Sequence, residues 1–175
     1  MILVGPPGAG KTTVGRLLAD RVGVSFRDTD DLIREATGCS IPEIFAERGE
    51  AEFRRIEEDM VRGALATRGG VLSLGGGAVL SAATRALLRD RIVVCLDVGA
   101  EEGLRRVVVD SDRPLFSSAD RSAHYADMLR RRQPLYREIA RLVVGTDGRI
   151  PEEVVRRVLA ELGSRSPSNG AAKAG

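Results

Sequence analysis

The chain has 175 residues, enough for one domain with a substantial core and small inserts. Its 43% hydrophobic content is ordinary, but aromatics reach only 3% and Trp is absent, so the core must be aliphatic and stacking platforms for single-stranded nucleic acid are disfavoured. A net charge of only +2 argues against a nucleic-acid partner, and no run has the ~18 apolar residues of a membrane span or the basic-then-apolar form of a signal peptide, so a cytoplasmic protein is expected.

Apolar runs and helical patterns alternate along the chain. The first run, Ile2-Leu3-Val4, reads as a short buried strand. Directly behind it stands Gly5-Pro6-Pro7-Gly8-Ala9-Gly10-Lys11-Thr12, which fits the phosphate-loop pattern G-x-x-x-x-G-K-[ST]. A helical pattern follows over 13–21, with Val14, Leu17 and Leu18 on one face. The glycine loop thus joins a strand to a helix N-terminus, where unpaired N–H groups and the positive end of the helix dipole face an anion. Gly5, Gly8 and Gly10 permit the tight turn. Gly8, Ala9, Gly10, Lys11, Thr12 and Thr13 form the nucleotide cradle, with Lys11 reaching the β- and γ-phosphates and the Thr12 hydroxyl on Mg²⁺.

Further strands are expected at 24–27, 71–74, 92–96 and 141–144. Two helical patterns cross 31–67, and others cover 82–89, 100–107, 121–139 and 151–162, with Pro151 suited to a first helical position. This alternation predicts a three-layer α/β/α fold of the P-loop NTPase type: a central five-stranded parallel sheet with helices on both faces. The organisation is one domain over 1–163, with an acceptor-binding helical insert at about 28–60 and a mobile lid at about 109–121, where helical period fails between two helices. The small, polar stretch 164–175 reads as a disordered tail.

In such sheets ligands bind beyond the carboxyl ends of the strands. After the second strand come Asp28-Thr29-Asp30-Asp31. If strand geometry persists, Asp28 and Asp30 point the same way. Asp28 is assigned to the metal, directly or through water, and Asp30 to the proton of an attacking hydroxyl; Asp31 reads as a helix cap. Arg54 shares a helix face with Glu50 and Glu57, which by spacing alone is a salt-bridge arrangement. Gly75-Gly76-Gly77 ends the third strand and would let backbone N–H groups approach a ligand, with Ser81 placed to cap the next helix. Arg113-Pro114-Leu115 puts a cation on a constrained turn in the lid, where it can act as an arginine finger. In Arg130-Arg131-Arg132-Gln133-Pro134-Leu135-Tyr136, Pro134 is expected to kink or restart the helix and so direct Arg132. Lys11 and Lys173 are the only lysines; the arginine excess suits recognition of phosphate and carboxylate, and equally reflects genome composition. Cys39 and Cys95 have neither metal-ligand nor disulfide-framework spacing, and His124 reads as a bystander.

Together these residues resemble a shikimate kinase. The resemblance runs from about residue 2 to 162 and rests on Gly5–Thr12, Asp28-Thr29-Asp30, Phe53-Arg54-Arg55-Ile56-Glu57, Gly75-Gly76-Gly77, Arg113-Pro114-Leu115 and Arg132-x-Pro134-Leu135-Tyr136. It implies ATP-dependent phosphorylation of the 3-hydroxyl of shikimate, in aromatic amino acid biosynthesis, by a monomeric, Mg²⁺-using enzyme. It assigns Asp30, Arg54, the Gly75–Gly77 strip and Arg132 to the acceptor. Arg54 and Arg132 become a clamp on the carboxylate, which displaces the salt-bridge reading of Arg54. Lys11 and Arg113 would stabilise charge on the phosphoryl, Thr12 and Asp28 would serve Mg²⁺, and Arg106 and Arg149 would flank the adenine. Other small P-loop kinases, acting on gluconate or nucleoside monophosphates, ask for different acceptor contacts. A GTP-binding switch is disfavoured because no Asn-Lys-x-Asp motif occurs, and an inactive binding module is disfavoured by the intact Lys11, Thr12, Asp30 and Arg113.

Overall fold

Five apolar runs form five strands: β1 (Ile2–Val4), β2 (Phe26–Asp28), β3 (Val71–Ser73), β4 (Val93–Asp97) and β5 (Leu142–Gly145). The structure, a computed structural model, describes residues 1–67, 69–109 and 121–164. All strand pairs are parallel, in the order β2-β3-β1-β4-β5. The helices are α1 (Lys11–Val22), α2 (Thr29–Thr37), α3 (Ile41–Ala66), α4 (Ala82–Leu88), α5 (Ala100–Val109), α6 (Arg121–Ile139) and α7 (Pro151–Ser164). The expected α/β/α architecture is present. The later strands begin one or two residues after their expected starts at β2, β4 and β5. At β2 the cause is burial: Val24 is largely exposed, and the chain joins the sheet only where Phe26 pairs with Val71.

Period-two alternation divides each strand between two cores. Leu3, Val71, Val94, Leu96, Leu142 and Val144 pack under α1 and α7. Ile2, Val4, Leu72, Val93 and Cys95 pack on the other face against α3, α4 and α6. Contact with α1 is close: a Cβ on Gly15 would lie 3.1 Å from Leu3 Cδ1 and would collide with the Phe26 ring.

The two helical patterns across 31–67 become α2 and α3, which share a satellite core of Ile33, Ile44, Phe53 and Ile56. Ser40 and Glu43 form a reciprocal capping box at the start of α3. Gly49 then breaks α3 with φ 77° and ψ 171°, a conformation that suits glycine. Ser81 caps α4 as expected, after a 3₁₀ turn at Ala78–Leu80 that the sequence pattern did not reveal.

Three expectations change. α6 runs through Pro134 as one helix. Pro134 is exposed, on the solvent side, where a carbonyl deprived of its donor can turn to water. The cap of α2 is Asp28 and not Asp31; Asp31 instead pairs with Arg34 and, at 4.0 Å, with Arg16. α7 includes Ser164, the first residue of the expected tail. The rest of that tail, 165–175, and most of the expected lid, 110–120 with Arg113, lie outside the described residues.

The topology opens a crevice where it is needed. From β1 the chain crosses by α1 to β2 on one face, whereas from β3 it leaves by α4 toward β4 on the other face. The loops after these adjacent strands diverge, and a ligand site forms between them. Gly15→Val should overpack the α1–sheet contact and lower stability by about 1–3 kcal/mol, read as a lower urea midpoint; an unchanged midpoint would refute the close packing.

Candidate active site

The phosphate loop and the triple-glycine strip face each other across this crevice. A Cβ on Gly76 would lie 3.1 Å from Pro7 Cδ and 3.4 Å from the Gly5 carbonyl. Lys11 is buried at the start of α1, and its Nζ donates to the Pro6 carbonyl at 3.1 Å. A phosphate would offer that ammonium an anionic acceptor in place of a neutral one.

Strand geometry does not persist from Asp28 to Asp30. Asp28 is the extended N-cap of α2, with Oδ1 accepting from the Asp30 N–H at 3.0 Å. The helix therefore starts at Thr29 and Asp30 lies in its first turn. The cap leaves Oδ2 free for α1, and it accepts from the Thr12 hydroxyl at 2.8 Å. Asp28 and Thr12 thus meet, as the sequence predicts, by a different local geometry. Ser73 pairs with Asp28 in the sheet, so their side chains share a face. The Ser73 hydroxyl is buried without a hydrogen-bond partner among the described residues. Hydroxyl, carboxylate and an orphaned oxygen fit a hard divalent cation that keeps much of its water. Among the described residues no cluster of three or more Asp, Glu, His or Cys gathers, so such an ion would complete its shell from water and phosphate.

The acceptor side is built on α3 and α6. Arg54 donates to Glu57 at 2.7 Å and to Glu50 at 3.1 and 3.3 Å, and its guanidinium lies over the Phe53 ring. The salt-bridge geometry read from spacing is present, and it aims the guanidinium at the glycines: a Cβ on Gly77 would collide with it. A Cβ on Gly75 would lie 2.8 Å from both Asp30 Oδ1 and Glu57 Oε1. Only glycine lets this strip pass between two carboxylates and a guanidinium. Gly75 is also tied back, its N–H donating to the buried Thr29 hydroxyl at 2.9 Å.

Arg132 comes from α6. Its neighbours Arg130 and Arg131 are exposed and pair with Asp127, but Arg132 is buried. Its place follows from the buried stripe Tyr125, Met128, Arg132, Tyr136 and Ile139, one side of a helix. That periodicity was the signal available in the sequence for separating Arg132 from its neighbours. Arg132 lies near enough to Glu57 and Tyr136 to favour their charged forms. Burial dominates at both and pushes their pKa values up.

The nucleotide side closes with Arg106 of α5. It donates to the Gly8 carbonyl at 3.3 Å and to the Thr146 carbonyl at 3.0 Å, which ties the phosphate loop to the turn after β5. Glu102 holds it from below at 2.7 Å. Hydrogen bonds from Arg105 and then Arg106 bring the Glu102 carboxyl down to about 2, so it stays ionised. Arg149 joins the same turn through the Gly145 carbonyl at 2.7 Å. Asp147 accepts from the Gly99 N–H at 2.9 Å, linking that turn to the start of α5. Thr13, the third residue of α1, is exposed. The sequence reading did not include Tyr125, Tyr136, Thr29, Thr146 and Asp147 among the residues that shape the site.

A strand, glycine loop and helix carrying a buried lysine, opposed by a second glycine strip lined with arginine and carboxylate, define a P-loop small-molecule kinase. The shikimate kinase family model matches residues 7–163. Shikimate kinase of Mycobacterium tuberculosis (strain CDC 1551 / Oshkosh) is 51% identical over 170 residues, 97% of each chain. That of Saccharopolyspora erythraea is 52% identical over 158 residues, 90% of each chain. The solved shikimate kinase from Acinetobacter baumannii in complex with shikimate superimposes with a TM-score of 0.92 at 38% identity, covering 95% of this chain and 93% of that one. The Aquifex aeolicus enzyme gives a TM-score of 0.82 at 30% identity, covering 93% and 95%. The chain belongs to the shikimate kinase family and is an ATP-dependent kinase of shikimate. Among the described residues no helix is long and apolar enough to cross a membrane.

Glu57 gives a pH test of this geometry. Its pKa is raised by burial, against the opposing pull of Arg54. The stability it contributes is complete below the unfolded value and is lost as pH rises through the folded pKa. Urea midpoints of the protein and of Glu57→Gln should therefore shift in favour of the variant as pH rises above the ordinary carboxyl range. A difference independent of pH would show that Glu57 is not buried in this way.

Proposed function

We propose that the chain transfers the γ-phosphoryl of Mg–ATP to the 3-hydroxyl of shikimate, with the roles below. The observation that carries this reading is the convergence of Asp30, Glu57 and Arg54 on Gly75 and Gly77, opposite the phosphate loop. Two guanidiniums, Arg54 and Arg132, stand among the carboxylates of Asp30, Glu50 and Glu57. Burial drives Glu57 toward its neutral form. The paired guanidiniums suit an acid bearing one carboxylate. Arg54 and Arg132 clamp that carboxylate. Asp30, half-buried at the start of α2, takes the proton as the hydroxyl oxygen attacks the γ-phosphorus and the bond to the β-phosphate oxygen breaks.

Lys11 moves from the Pro6 carbonyl to the transferring phosphoryl, and the N–H groups of Gly8, Ala9, Gly10, Thr12 and Thr13 hold the remaining phosphates. Arg106 and Arg149 bracket the adenine, supported by their shared anchorage on the turn after β5. Arg113 adds charge from the lid, a role that rests on the sequence motif. Magnesium, held at the Thr12 hydroxyl with Asp28 behind it through water, would supply charge neutralisation between the β- and γ-phosphates. On the family resemblance, we read the enzyme as a cytoplasmic monomer.

The test is coupled ADP release with ATP and Mg²⁺ across shikimate, gluconate, nucleoside monophosphates and no acceptor. Release dependent on shikimate alone supports the reading; acceptor-independent hydrolysis overturns it. Asp30→Asn should lower turnover by about 10²–10⁴-fold while leaving ATP binding nearly intact; normal turnover would remove Asp30 as proton acceptor. Arg54→Ala should raise the shikimate KM by roughly 10–100-fold, and an unchanged KM would take it out of the clamp.

A further inference from the structure

The two tyrosines of the chain stand on α6, and both are fully buried, at 0% and 1% exposure. Eleven residues advance a helix by about three turns, so Tyr125 and Tyr136 project from nearly the same side. Each hydroxyl ends on a loop carbonyl. Tyr125 donates to Pro7 at 2.7 Å and Tyr136 donates to Gly76 at 2.5 Å. Pro7 belongs to the phosphate loop and Gly76 to the acceptor strip, and they lie so close across the crevice that a Cβ on Gly76 would come within 3.1 Å of Pro7 Cδ.

The approach of Tyr125 is built for. A Cβ on Gly103 of α5 would collide with its hydroxyl, and a Cβ on Gly8 would lie 2.5 Å from the Gly103 carbonyl. Helix α5, helix α6 and the phosphate loop therefore interlock at one point. In a trans peptide the C=O and the following N–H point in opposite directions. A Pro7 carbonyl held toward α6 turns the Gly8 N–H away from α6, toward the phosphate cradle. A Gly76 carbonyl held toward α6 turns the Gly77 N–H toward the side where Arg54 lies. Arg132 sits between the tyrosines on the same buried stripe.

We propose that Tyr125 and Tyr136 are paired positioning residues: α6 sets the orientation of the donor loop with one hydroxyl and of the acceptor strip with the other, and so fixes the gap that the phosphoryl crosses. The proposal rests on the kinase reading above. Neither tyrosine touches substrate in that reading; Tyr125 acts through the peptide plane after Pro7, and Tyr136 through the one after Gly76 and through the neighbouring Arg132.

Tyr125→Phe and Tyr136→Phe keep the ring and remove only the hydroxyl. Tyr125→Phe should weaken ADP binding, measured by titration calorimetry, and raise the ATP KM by about tenfold, with the shikimate KM within about twofold. Tyr136→Phe should do the reverse. The double variant should lose more kcat than the product of the single losses, because the two hydroxyls define one distance. The proposal is overturned if either variant raises both constants equally, or if melting temperatures fall while both constants stay unchanged. Each variant tests its own half, so one that fails to fold leaves the other decisive. The unsubstituted enzyme is measured alongside: if it releases no ADP on addition of shikimate, the kinase reading fails instead, while the calorimetric titration of Tyr125→Phe still reports on the loop.

Discussion

The Asp28 carboxylate joins the two halves of the site. One oxygen caps α2 through the Asp30 N–H, and the other accepts from Thr12 in the first turn of α1. The first bond starts the helix that carries Asp30, and the second fixes the hydroxyl assigned to the metal. Donor and acceptor chemistry are therefore registered to each other by a single buried side chain at the end of β2. An isosteric amide could keep one of these acceptor contacts but not the charge that suits both a helix N-terminus and a cation.

The acceptor pocket carries a cost that the rest of the fold offsets. Glu57 is 3% exposed and Arg132 is 9% exposed. Taking such groups out of water seldom stabilises a protein on its own account, and removing one partner of a buried pair leaves an uncompensated charge. Stability comes instead from the two aliphatic clusters on either side of the sheet and from the satellite core under α2 and α3. Under the proposed carboxylate clamp the buried ions have a use: a preorganised guanidinium loses little freedom when a carboxylate arrives. Phe53 serves both purposes, with its ring tilted against Phe45 at a centroid distance of 4.5 Å in the satellite core and its face under the Arg54 guanidinium.

Helices α2 and α3 share a small core of their own, and the second part of α3 meets the sheet. Residues on both sides of the break at Gly49, Ile44 before it and Phe53 and Ile56 after it, pack with Ile33 of α2. The same helix then reaches the sheet through Val61, Ala64 and Leu65.

Much of this was legible in the residues themselves. The phosphate loop is local chemistry: glycines, lysine and threonine at fixed offsets between an apolar strand and an amphipathic helix, so its position and purpose follow from spacing. The alternation of elements predicts the parallel sheet, and the capping of α4 by Ser81 follows from one short-range hydrogen bond. What depends on which atoms of distant segments meet was not legible. Asp28 and Asp30 converge because a cap bends the chain into a helix, not because a strand continues. Arg132 was named through the resemblance and lies on the periodic stripe of α6, but that its guanidinium is buried beside Glu57 and Tyr136 follows from how α6 packs. The two tyrosines acquire their role because α6 crosses both glycine loops, whose carbonyls lie 118 and 60 residues away in sequence. The sequence by itself determined the elements, the nucleotide loop and the residue types available at each strand end, since these rest on periodicity and local backbone preference. Only the tertiary structure decided which of those side chains face one another, because that depends on packing distances that no local pattern encodes.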